Sequence, residues 1–350
     1  MINHPIFQSV RIWNRNLRNR LAVAPMSRVS AAADGVATDE MAAYYASFAE
    51  GGFGTVITEG LYTDKLASQS YSFQPGIATA SQLRSWQPIT EAVHRYDALI
   101  IAQLMHGGAI SQYLDRPIAP SPIRPKGVKL PSYGGSGTFP IPQEMTIQDI
   151  ELVKAGFIAS AIHAHEAGFD GIELHAANGY LLDQFLTPEL NQRTDQYGGS
   201  MENRFRIVAE IIAGIRQQVS PTFILGVRIS EGKVNDLAYR WENGIRTAHE
   251  LAGQLQQANP DYIHVAVQTG EWERDSFYGE NTSLASVMRR VTGIPVIANG
   301  GFHDLARARR AIEDQHADLV SIGKAALADP WWPVKTLNNL PAIPFHQQMI

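Results

Sequence analysis

The amino-acid sequence predicts an α/β protein folded as a single (β/α)8 barrel, in which each of eight parallel strands is followed by a helix. Two observations support this prediction. Eight short, nearly continuous apolar segments alternate with longer amphipathic ones, and no linker rich in Ser, Gly or Pro divides the 350 residues. Strands of a parallel sheet are covered on both faces and are therefore apolar throughout. A doubly wound sheet is the alternative, although it usually has fewer units or a second domain. We expect one domain over residues 1–350.

The predicted strands are short and rich in Val, Ile or Leu, as buried parallel strands are. Each is followed by a segment of helical character, so the connections are strand-to-helix throughout. The eight predicted strands are LAVAPM (21–26), TVITEG (55–60), LIIAQLMH (99–106), DGIELHAA (170–177), FILGVRIS (223–230), YIHVAV (262–267), PVIANGG (295–301) and LVSIGKA (319–325).

The predicted helices show helical periodicity and recognisable ends. The first begins at Thr38, a residue type that caps helix N-termini, and ends in glycine. In the third, apolar residues recur at helical spacing from Ile150 to Ala161. The predicted segments are 38–52, 81–97, 146–168, 202–219, 242–259, 284–293, 304–317 and 331–340.

Composition excludes several classes of protein. The chain has no Cys, which excludes disulfides, thiolate metal sites and cysteine-ligated iron–sulfur clusters. Its net charge of −5 argues against a nucleic-acid-binding protein, which would normally have a basic patch. No apolar run approaches the roughly 20 residues of a membrane span, and the N-terminus lacks the apolar core of a secretion signal. We therefore expect a cytoplasmic protein with no metal site and with neither nucleic acid nor membrane as partner.

Two strand-to-helix loops are unusually long. They run from about 107 to 145, a stretch dense in Pro and Gly, and from about 178 to 201. In a barrel both lie at the C-terminal end of the strands, where active sites are found. Long loops in compact domains are usually functional. We expect the first to form a lid or a wall of a substrate pocket, and a surface excursion without chemistry is the alternative.

The end of the fourth predicted strand carries His175, Asn178 and Tyr180. A His and an Asn can hold one acceptor oxygen between two donors, and a nearby phenol can supply a proton. That combination suits chemistry on a carbonyl compound whose oxygen must be polarised. The alternative is that His175 is a satisfied strand-end histidine and Tyr180 a packed aromatic.

Glycines follow the seventh and eighth predicted strands, at Gly300, Gly301 and Gly323, and Lys324 adds a positive charge. The loops after these strands are the usual phosphate site of barrel enzymes, and glycines allow backbone N–H groups to approach a ligand. The sequence therefore predicts phosphate binding, with turn glycines and a solvated lysine as the alternative. We interpret the nearby run RARR (307–310) as a solvated helix face.

Polar residues stand in or after other strands, where an apolar residue would be ordinary. Arg228 lies in the fifth and needs a partner, because an unpaired buried charge is expensive. An anionic ligand or a structural carboxylate could provide that partner. Ser27 follows the first strand and Gln103 lies within the third, while His106 is interpreted as a packed histidine.

The segment 175–206 contains HAANGY, FLTP, N-x-RTD-x-YGGS and ENR in succession. Together these motifs resemble the hallmark of the old yellow enzyme family of FMN-dependent oxidoreductases. The resemblance spans nearly the whole chain and agrees with the barrel count. It continues in NRLAVAPMSR (19–28), ITEG (57–60), QLMHGG (103–108), GVRIS (226–230), ANGG (298–301) and SIGKAALADP (321–330).

This resemblance implies an ene-reductase that binds FMN non-covalently. It would take hydride from NADPH or NADH in a ping-pong reaction and deliver it through flavin N5 to the activated C=C bond of an α,β-unsaturated carbonyl or nitro compound. Such an enzyme has a small enone-type molecule as its partner and in some relatives forms a homo-oligomer.

The resemblance also implies roles for matching residues. His175 and Asn178 would bind the substrate oxygen, and Tyr180 would donate the proton. The implied cofactor contacts are Pro25, Met26 and Ser27 along the isoalloxazine, Gly60 near its O4, Gln103 at its pyrimidine edge, Arg228 near N1–C2=O, and Gly300, Gly301, Gly323 and Lys324 at the phosphate.

Some positions depart from common patterns of the family. Ser27 stands where many relatives have Cys or Thr, and Lys324 where many have Arg, whose bidentate fork lysine lacks. Asn178 stands where some relatives have a second histidine. Two other functions stay open at this point. One is a flavin-free lyase or isomerase that binds a phosphorylated metabolite, and the other is a non-catalytic flavin-binding redox sensor.

Overall fold

The structure, a computed structural model, describes residues 3–349 and contains the predicted closed barrel of eight parallel strands. Each strand pairs with the next in the chain, and the eighth pairs with the first, so no edge is left unpaired. The barrel strands β1 to β8 are Leu21–Val23, Thr55–Tyr62, Leu99–Met105, Gly171–Asn178, Ile224–Lys233, Tyr262–Val265, Val296–Asn299 and Leu319–Ile322.

A helix follows each strand, as predicted, and several helices begin where the sequence offers a side-chain cap. Thr38, Thr146 and Ser200 accept hydrogen bonds from backbone N–H groups of the first turns that follow them. These eight helices, α1 to α8, are Asp39–Glu50, Ala80–His94, Ile147–Glu166, Met201–Arg216, Ile245–Ala258, Leu284–Thr292, Leu305–Glu313 and Trp332–Leu337. Three shorter helices, Leu181–Leu186, Trp272–Ser276 and Lys324–Ala328, lie within the loops that follow β4, β6 and β8.

The N-terminal end of the barrel is closed by a hairpin that the sequence did not predict. Its antiparallel strands are Val10–Ile12 and Arg15–Leu17. Leu17 joins a buried cluster formed by residues at the starts of several barrel strands, and Trp13 packs 5.1 Å from the ring of Tyr262. The hairpin therefore seals the end of the barrel opposite the C-terminal loops.

β1 and β8 are shorter in the structure than the sequence predicts. After Val23 and Ile322 the backbone leaves the sheet, and Lys324 begins a short helix instead of ending a strand. The long loop after β3 has little regular structure of its own. It contains two-residue strands at Ile118–Ala119 and Gln143–Glu144 and a 3₁₀ turn at Pro131–Tyr133.

The register of the barrel sets three side chains at one level of neighbouring strands. His175 of β4 pairs with Arg228 of β5, which pairs in turn with His264 of β6. Side chains alternate along a strand, so Glu173 points to the same side of β4 as His175, one layer deeper. Across residues 3–349 the structure has no helix that is both long enough and apolar enough to cross a membrane.

Candidate active site

A cleft of ≈ 550 Å³ opens at the C-terminal end of the barrel. The loops that follow β1, β3, β4, β5, β6, β7 and β8 all contribute to its walls. Of the residues predicted for the site, all within residues 3–349, every one but Gly300 lines this cleft. Those that do are Pro25, Met26, Ser27, Gly60, Gln103, His175, Asn178, Tyr180, Arg228, Gly301, Gly323 and Lys324.

His175, Asn178 and Tyr180 come together in one wall. The rings of His175 and Tyr180 lie 4.8 Å apart, and all three side chains are buried from bulk solvent. The Nδ1 atom of His175 and the Oδ1 atom of Asn178 have no hydrogen-bond partner among the described residues. Buried polar atoms are normally paired, so these two atoms are free to bind a ligand in the cleft.

A left-handed turn brings Tyr180 back over the cleft after β4. Asn178 has a φ of 62° and Gly179 a φ of 87°, a conformation that asparagine and glycine adopt most readily. Hydrogen bonds to its backbone N–H groups help to hold this turn. The hydroxyl of Ser230 accepts a hydrogen bond from the Asn178 N–H at 2.8 Å, and the Asp183 carboxylate accepts one from the Gly179 N–H at 2.6 Å.

A buried ion pair supports the same turn from behind. The Nζ atom of Lys233 donates to both carboxylate oxygens of Asp183, at 2.7 and 2.8 Å. Lys233 also lies 4.8 Å from the centre of the Tyr239 ring, a cation–π contact. Because both charges are buried, each depends on the other for compensation.

Burial sets the protonation states in this wall. Burial, followed by the positive charge of Arg228, holds the pKa of His175 well below its ordinary value, so the imidazole is neutral near pH 7. Burial raises the pKa of Tyr180 well above that of a free phenol, so its hydroxyl keeps its proton. The wall therefore presents a neutral imidazole beside a protonated phenol.

The floor of the cleft combines Gln103 of β3 with Arg228 of β5. The amide nitrogen of Gln103 donates to the Glu173 carboxylate at 2.7 Å. Arg228 is 4% exposed, and its Nε atom has no partner among residues 3–349. Glu173 contributes an attraction that partly offsets the burial of Arg228. The arginine thus has a structural carboxylate nearby and still has an unpaired atom.

The segment after β1 forms a side of the cleft, and Glu59 anchors it. The Glu59 carboxylate accepts hydrogen bonds from the backbone N–H groups of Arg28 and Val29, at 2.8 and 3.0 Å. The next residue, Gly60, lines the cleft, and an added Cβ there would lie 2.3 Å from the sulfur of Met105. Glycine at this position therefore leaves the space that the Met105 side chain occupies.

Glycines and positive charge meet at the far end of the cleft. A Cβ on Gly301 would lie 2.4 Å from the Gly270 carbonyl oxygen, and Gly301 has a φ of 81°. Lys324 lies 5.7 Å from the ring of Phe345 while it lines the cleft. Gly300 lies behind this wall, where an added Cβ would meet Trp272.

Arg307 clamps the loops at this end. Its Nη1 atom donates to the carbonyl oxygens of Gly270 and Gly300, at 2.9 and 3.2 Å. Its Nε atom lies 2.9 Å from the Glu273 carboxylate, and its side chain is only 20% exposed. The interpretation of 307–310 as a solvated face is therefore wrong for Arg307, because periodicity does not reveal which helix end meets neighbouring loops.

The comparison with known proteins decides the family. The model of the NADH:flavin oxidoreductase / NADH oxidase family matches residues 5–342, nearly the whole chain. The chain belongs to this family. Its fold and motifs place it with the old yellow enzymes, and its class is that of an NAD(P)H-dependent flavin oxidoreductase.

Individual relatives agree with this assignment. The chain is 33% identical over 341 residues to an NADH oxidase of Thermoanaerobacter brockii, covering 94% of this chain and 50% of that protein. It is 31% identical to a putative 12-oxophytodienoate reductase 3 of Oryza sativa subsp. japonica, covering 96% of this chain and 86% of that one. The chain thus spans half the length of the first relative and most of the second.

Two solved structures have the same fold. The old yellow enzyme homologue from Zymomonas mobilis is 28% identical, with a TM-score of 0.86 and coverage of 98% of this chain and 95% of that one. Morphinone reductase in complex with tetrahydroNAD is also 28% identical, with a TM-score of 0.86 and coverage of 99% and 94%. The fold is therefore shared over nearly the whole chain.

The residues that line the cleft of this chain fit FMN. Its floor has a buried arginine with an unpaired Nε and an amide, which suit the polar edge of a flavin ring. Its far end has Gly301, Gly323 and Lys324, which suit a phosphate. These residues would hold the ring and the phosphate, respectively.

Sequence reasoning missed several residues that shape the cleft. Tyr71 contacts Tyr180 from the loop after β2, and Met105 and Tyr133 line the cleft from β3 and its loop. The loop after β3 was expected to form a wall, and Tyr133 is part of that wall. Glu173 had a usable signal, because a glutamate in an apolar strand is as unusual as Arg228. Tyr71 had none, since its contact joins residues far apart in the chain.

Proposed function

We propose that this chain, acting as one barrel domain, binds FMN non-covalently in the cleft and reduces the activated C=C bond of α,β-unsaturated carbonyl or nitro compounds with NADPH or NADH. One observation carries the proposal. Two buried side chains with unpaired polar atoms, His175 and Asn178, share a wall with the protonated phenol of Tyr180, above a floor suited to a flavin.

The residues of this wall divide the chemistry of an activated alkene between them. A ring N–H of His175 and the side-chain amide N–H of Asn178 donate hydrogen bonds to the substrate oxygen, and these bonds strengthen as negative charge develops on that oxygen. Tyr180 gives its proton to the α-carbon, and its raised pKa means that the proton is available over the whole neutral range. Bound FMN supplies the hydride relay from the nicotinamide to the β-carbon through N5.

The rest of the cleft orients the reactants. Leu130 and Tyr133, from the long loop after β3, line the cleft, and Tyr133 packs in one apolar cluster with Tyr180. These side chains limit the shape of the substrate. Pro25, Met26 and Ser27 would lie along the ring, while Gln103 and Arg228 would contact its pyrimidine edge. Gly301, Gly323 and Lys324 would hold the phosphate, with Gly300 shaping the loop behind them.

The visible absorption spectrum of the purified, desalted protein tests this proposal. We expect a flavin spectrum that bleaches on anaerobic addition of NADPH or NADH and recovers when cyclohexenone is added. Comparing the two nucleotides at equal concentration gives the preferred reductant. A colourless protein that takes up no added FMN would contradict the proposal and favour a phosphorylated metabolite as ligand. Bleaching without recovery on any enone or nitroalkene would favour a redox sensor.

A further inference from the structure

Glu173 is a buried carboxylate that the proposed chemistry does not use. It lies in β4 beneath His175 and is 0% exposed. Three donors surround it: the amide of Gln103 at 2.7 Å, the hydroxyl of Tyr262 at 3.1 Å and the Nδ1 atom of His264 at 2.8 Å. The three donors hold this carboxylate in place. Burying a charge costs free energy, which these hydrogen bonds must offset.

The charge state of this cluster follows from its hydrogen bonds. Burial lowers the pKa of His264 although Glu173 opposes that shift, so the ring is neutral near pH 7 and acts on Glu173 through its Nδ1–H. Burial alone would raise the pKa of Glu173, but the hydrogen bond from His264, the positive charge of Arg228 and the hydrogen bond from Gln103 outweigh burial, and the pKa lies below its ordinary value. The Nε2 atom of His264 accepts from the Ser321 hydroxyl at 2.9 Å. The cluster thus carries one negative charge, on Glu173.

The carboxylate determines which end of Gln103 faces the cleft. An ionised carboxylate only accepts hydrogen bonds, so the NH₂ end of the Gln103 amide must point to Glu173. The carbonyl oxygen of the amide is thereby left available to the cleft, together with the second N–H. Without Glu173 the amide could rotate by half a turn and exchange its donor and acceptor.

The same carboxylate offsets the charge of Arg228. Both groups are buried, and Glu173 is the first electrostatic partner of Arg228 after the effect of burial itself. Charges in a poorly solvated interior act over several ångströms with little screening. A ligand on the floor of the cleft therefore experiences the positive charge of Arg228 reduced by the negative charge of Glu173.

We infer that Glu173 is a positioning residue that fixes the Gln103 amide and sets the reduction potential of the bound flavin by offsetting Arg228. This inference rests on the proposed binding of FMN in the cleft. Reduction adds negative charge to the flavin ring, and a nearby carboxylate opposes that addition. Glu173 therefore holds the potential below the value that Arg228 alone would give.

The test is the midpoint potential of the FMN-loaded protein, measured spectroscopically against a reference dye under anaerobic conditions. Glu173→Gln keeps the size of the side chain and removes the charge. We expect it to favour the reduced flavin about tenfold, which for a two-electron couple corresponds to a rise of about 30 mV. FMN dissociation, followed by flavin fluorescence, should also become faster, because Gln103 is no longer held in one orientation.

Tyr262→Phe gives a second and opposite test in a variant that keeps the charge. It removes one hydrogen-bond donor to Glu173, so the negative charge of the carboxylate acts more strongly on the flavin. The midpoint potential should fall by an amount that corresponds to about a two- to threefold change in the ratio of reduced to oxidised flavin. If Glu173→Gln does not fold, this variant decides alone, and an unchanged or raised potential overturns the inference.

The outcomes separate this inference from the proposed function. A wild-type protein that binds no FMN overturns both. A wild-type protein that binds FMN, with Glu173→Gln at the wild-type potential, overturns the role of Glu173 and leaves the proposed function intact. A shift upward in Glu173→Gln with a shift downward in Tyr262→Phe supports it, since loss of packing would not move the two potentials in opposite directions.

Discussion

The hydroxyl of Tyr71 lies 2.7 Å from the hydroxyl of Tyr180, and both phenols are almost completely buried. The ring of Tyr71 also packs 4.5 Å from that of Tyr133. The group proposed as the proton donor is therefore held by a second phenol, which is in turn held by the loop after β3. The position of the Tyr180 hydroxyl depends on a contact that no local sequence pattern shows.

Tyr71→Phe should slow alkene reduction less than Tyr180→Phe does. Loss of one hydrogen bond weakens the placement of the Tyr180 hydroxyl by about 0.5–1.5 kcal/mol, which gives at most about a tenfold decrease in rate. Loss of the proton donor itself should cost about 10²- to 10⁴-fold. Stopped-flow measurement of reoxidation by cyclohexenone, with the FMN-loaded enzyme reduced beforehand, compares the two variants.

Reduction by the nicotinamide is the control for both variants, because that half-reaction needs no proton from Tyr180. It should stay within about threefold of the wild-type rate if the phenol acts as a general acid. Equal slowing of the two half-reactions by Tyr180→Phe would rule out the proton-donor role. An effect of Tyr71→Phe as large as that of Tyr180→Phe would show that Tyr71 has a direct part in the chemistry.

His175→Ala combined with Asn178→Ala should weaken the binding of a phenolate ligand. A hydrogen bond to a charged oxygen contributes about 1.5–3 kcal/mol, so loss of both donors should raise Kd by at least about 100-fold. Titration of the oxidised, FMN-loaded protein with a phenol, followed in the visible spectrum, gives Kd. Retention of FMN by the variant is the control, and an unchanged Kd would exclude the pair as the oxygen site.

Gly301→Ala and Gly323→Ala form a matched pair at the predicted phosphate end. At Gly301 the φ is 81° and an added Cβ meets a carbonyl oxygen at 2.4 Å, so the loop must shift. At Gly323 the nearest atom, the sulfur of Met26, lies 3.5 Å away, an ordinary contact. Strain of about 1–3 kcal/mol predicts a loss of FMN affinity of about 5- to 150-fold for Gly301→Ala and little change for Gly323→Ala.

Flavin retention after desalting, with a Kd from fluorescence titration, measures this difference. The melting temperature of each FMN-free variant controls for a general loss of stability. Wild-type FMN affinity in both variants would place the phosphate elsewhere in the cleft.

The apolar strand segments predicted the barrel well, because burial on both faces leaves a signal within each segment. The N-terminal hairpin at Val10–Ile12 and Arg15–Leu17 left no such signal, since all of its strand residues except Leu17 are half-buried or exposed. Among the site residues, His175 and Arg228 were identifiable as polar side chains within apolar strand segments. Tyr71 and Tyr133 were not, because their loops have no periodicity and their contacts depend on tertiary packing.

His106 should make the protein less stable in acid. Burial lowers the pKa of His106 to about 4, whereas the unfolded state has an ordinary value near 6.5. Between these values the unfolded state binds a proton that the folded state excludes, so the free energy of unfolding falls as the pH falls. The contribution is about 1.4 kcal/mol per pH unit for this histidine. Urea denaturation at several pH values between 6.5 and 4 measures the slope.

His106→Gln should reduce this slope by about 1.4 kcal/mol per pH unit. His94 is the matched control, because its hydrogen bond to Asp170 raises its pKa. The stabilisation that protonated His94 contributes is complete at pH values below its pKa in the unfolded state. It is lost as the pH rises through its pKa in the folded state. His94→Gln should therefore lower the stability by a small, constant amount between pH 6.5 and 4, small because the side chain is 40% exposed, and leave the slope unchanged. A slope unchanged in His106→Gln would mean that this histidine is charged in the folded protein.

Lys233→Met should destabilise the fold more than any surface charge removal, because it leaves the buried carboxylate of Asp183 uncompensated. Breaking a buried ion pair from one side costs about 3–5 kcal/mol in the free energy of unfolding. Asp183→Asn in the same chain removes the orphan charge while its side-chain oxygen can still accept from the Gly179 N–H. The double variant should thus recover a large part of the loss, as measured by urea denaturation. If the double variant loses as much stability as the two single variants together, Lys233 and Asp183 are not coupled. Asn178 and Tyr180 are then held by the turn itself.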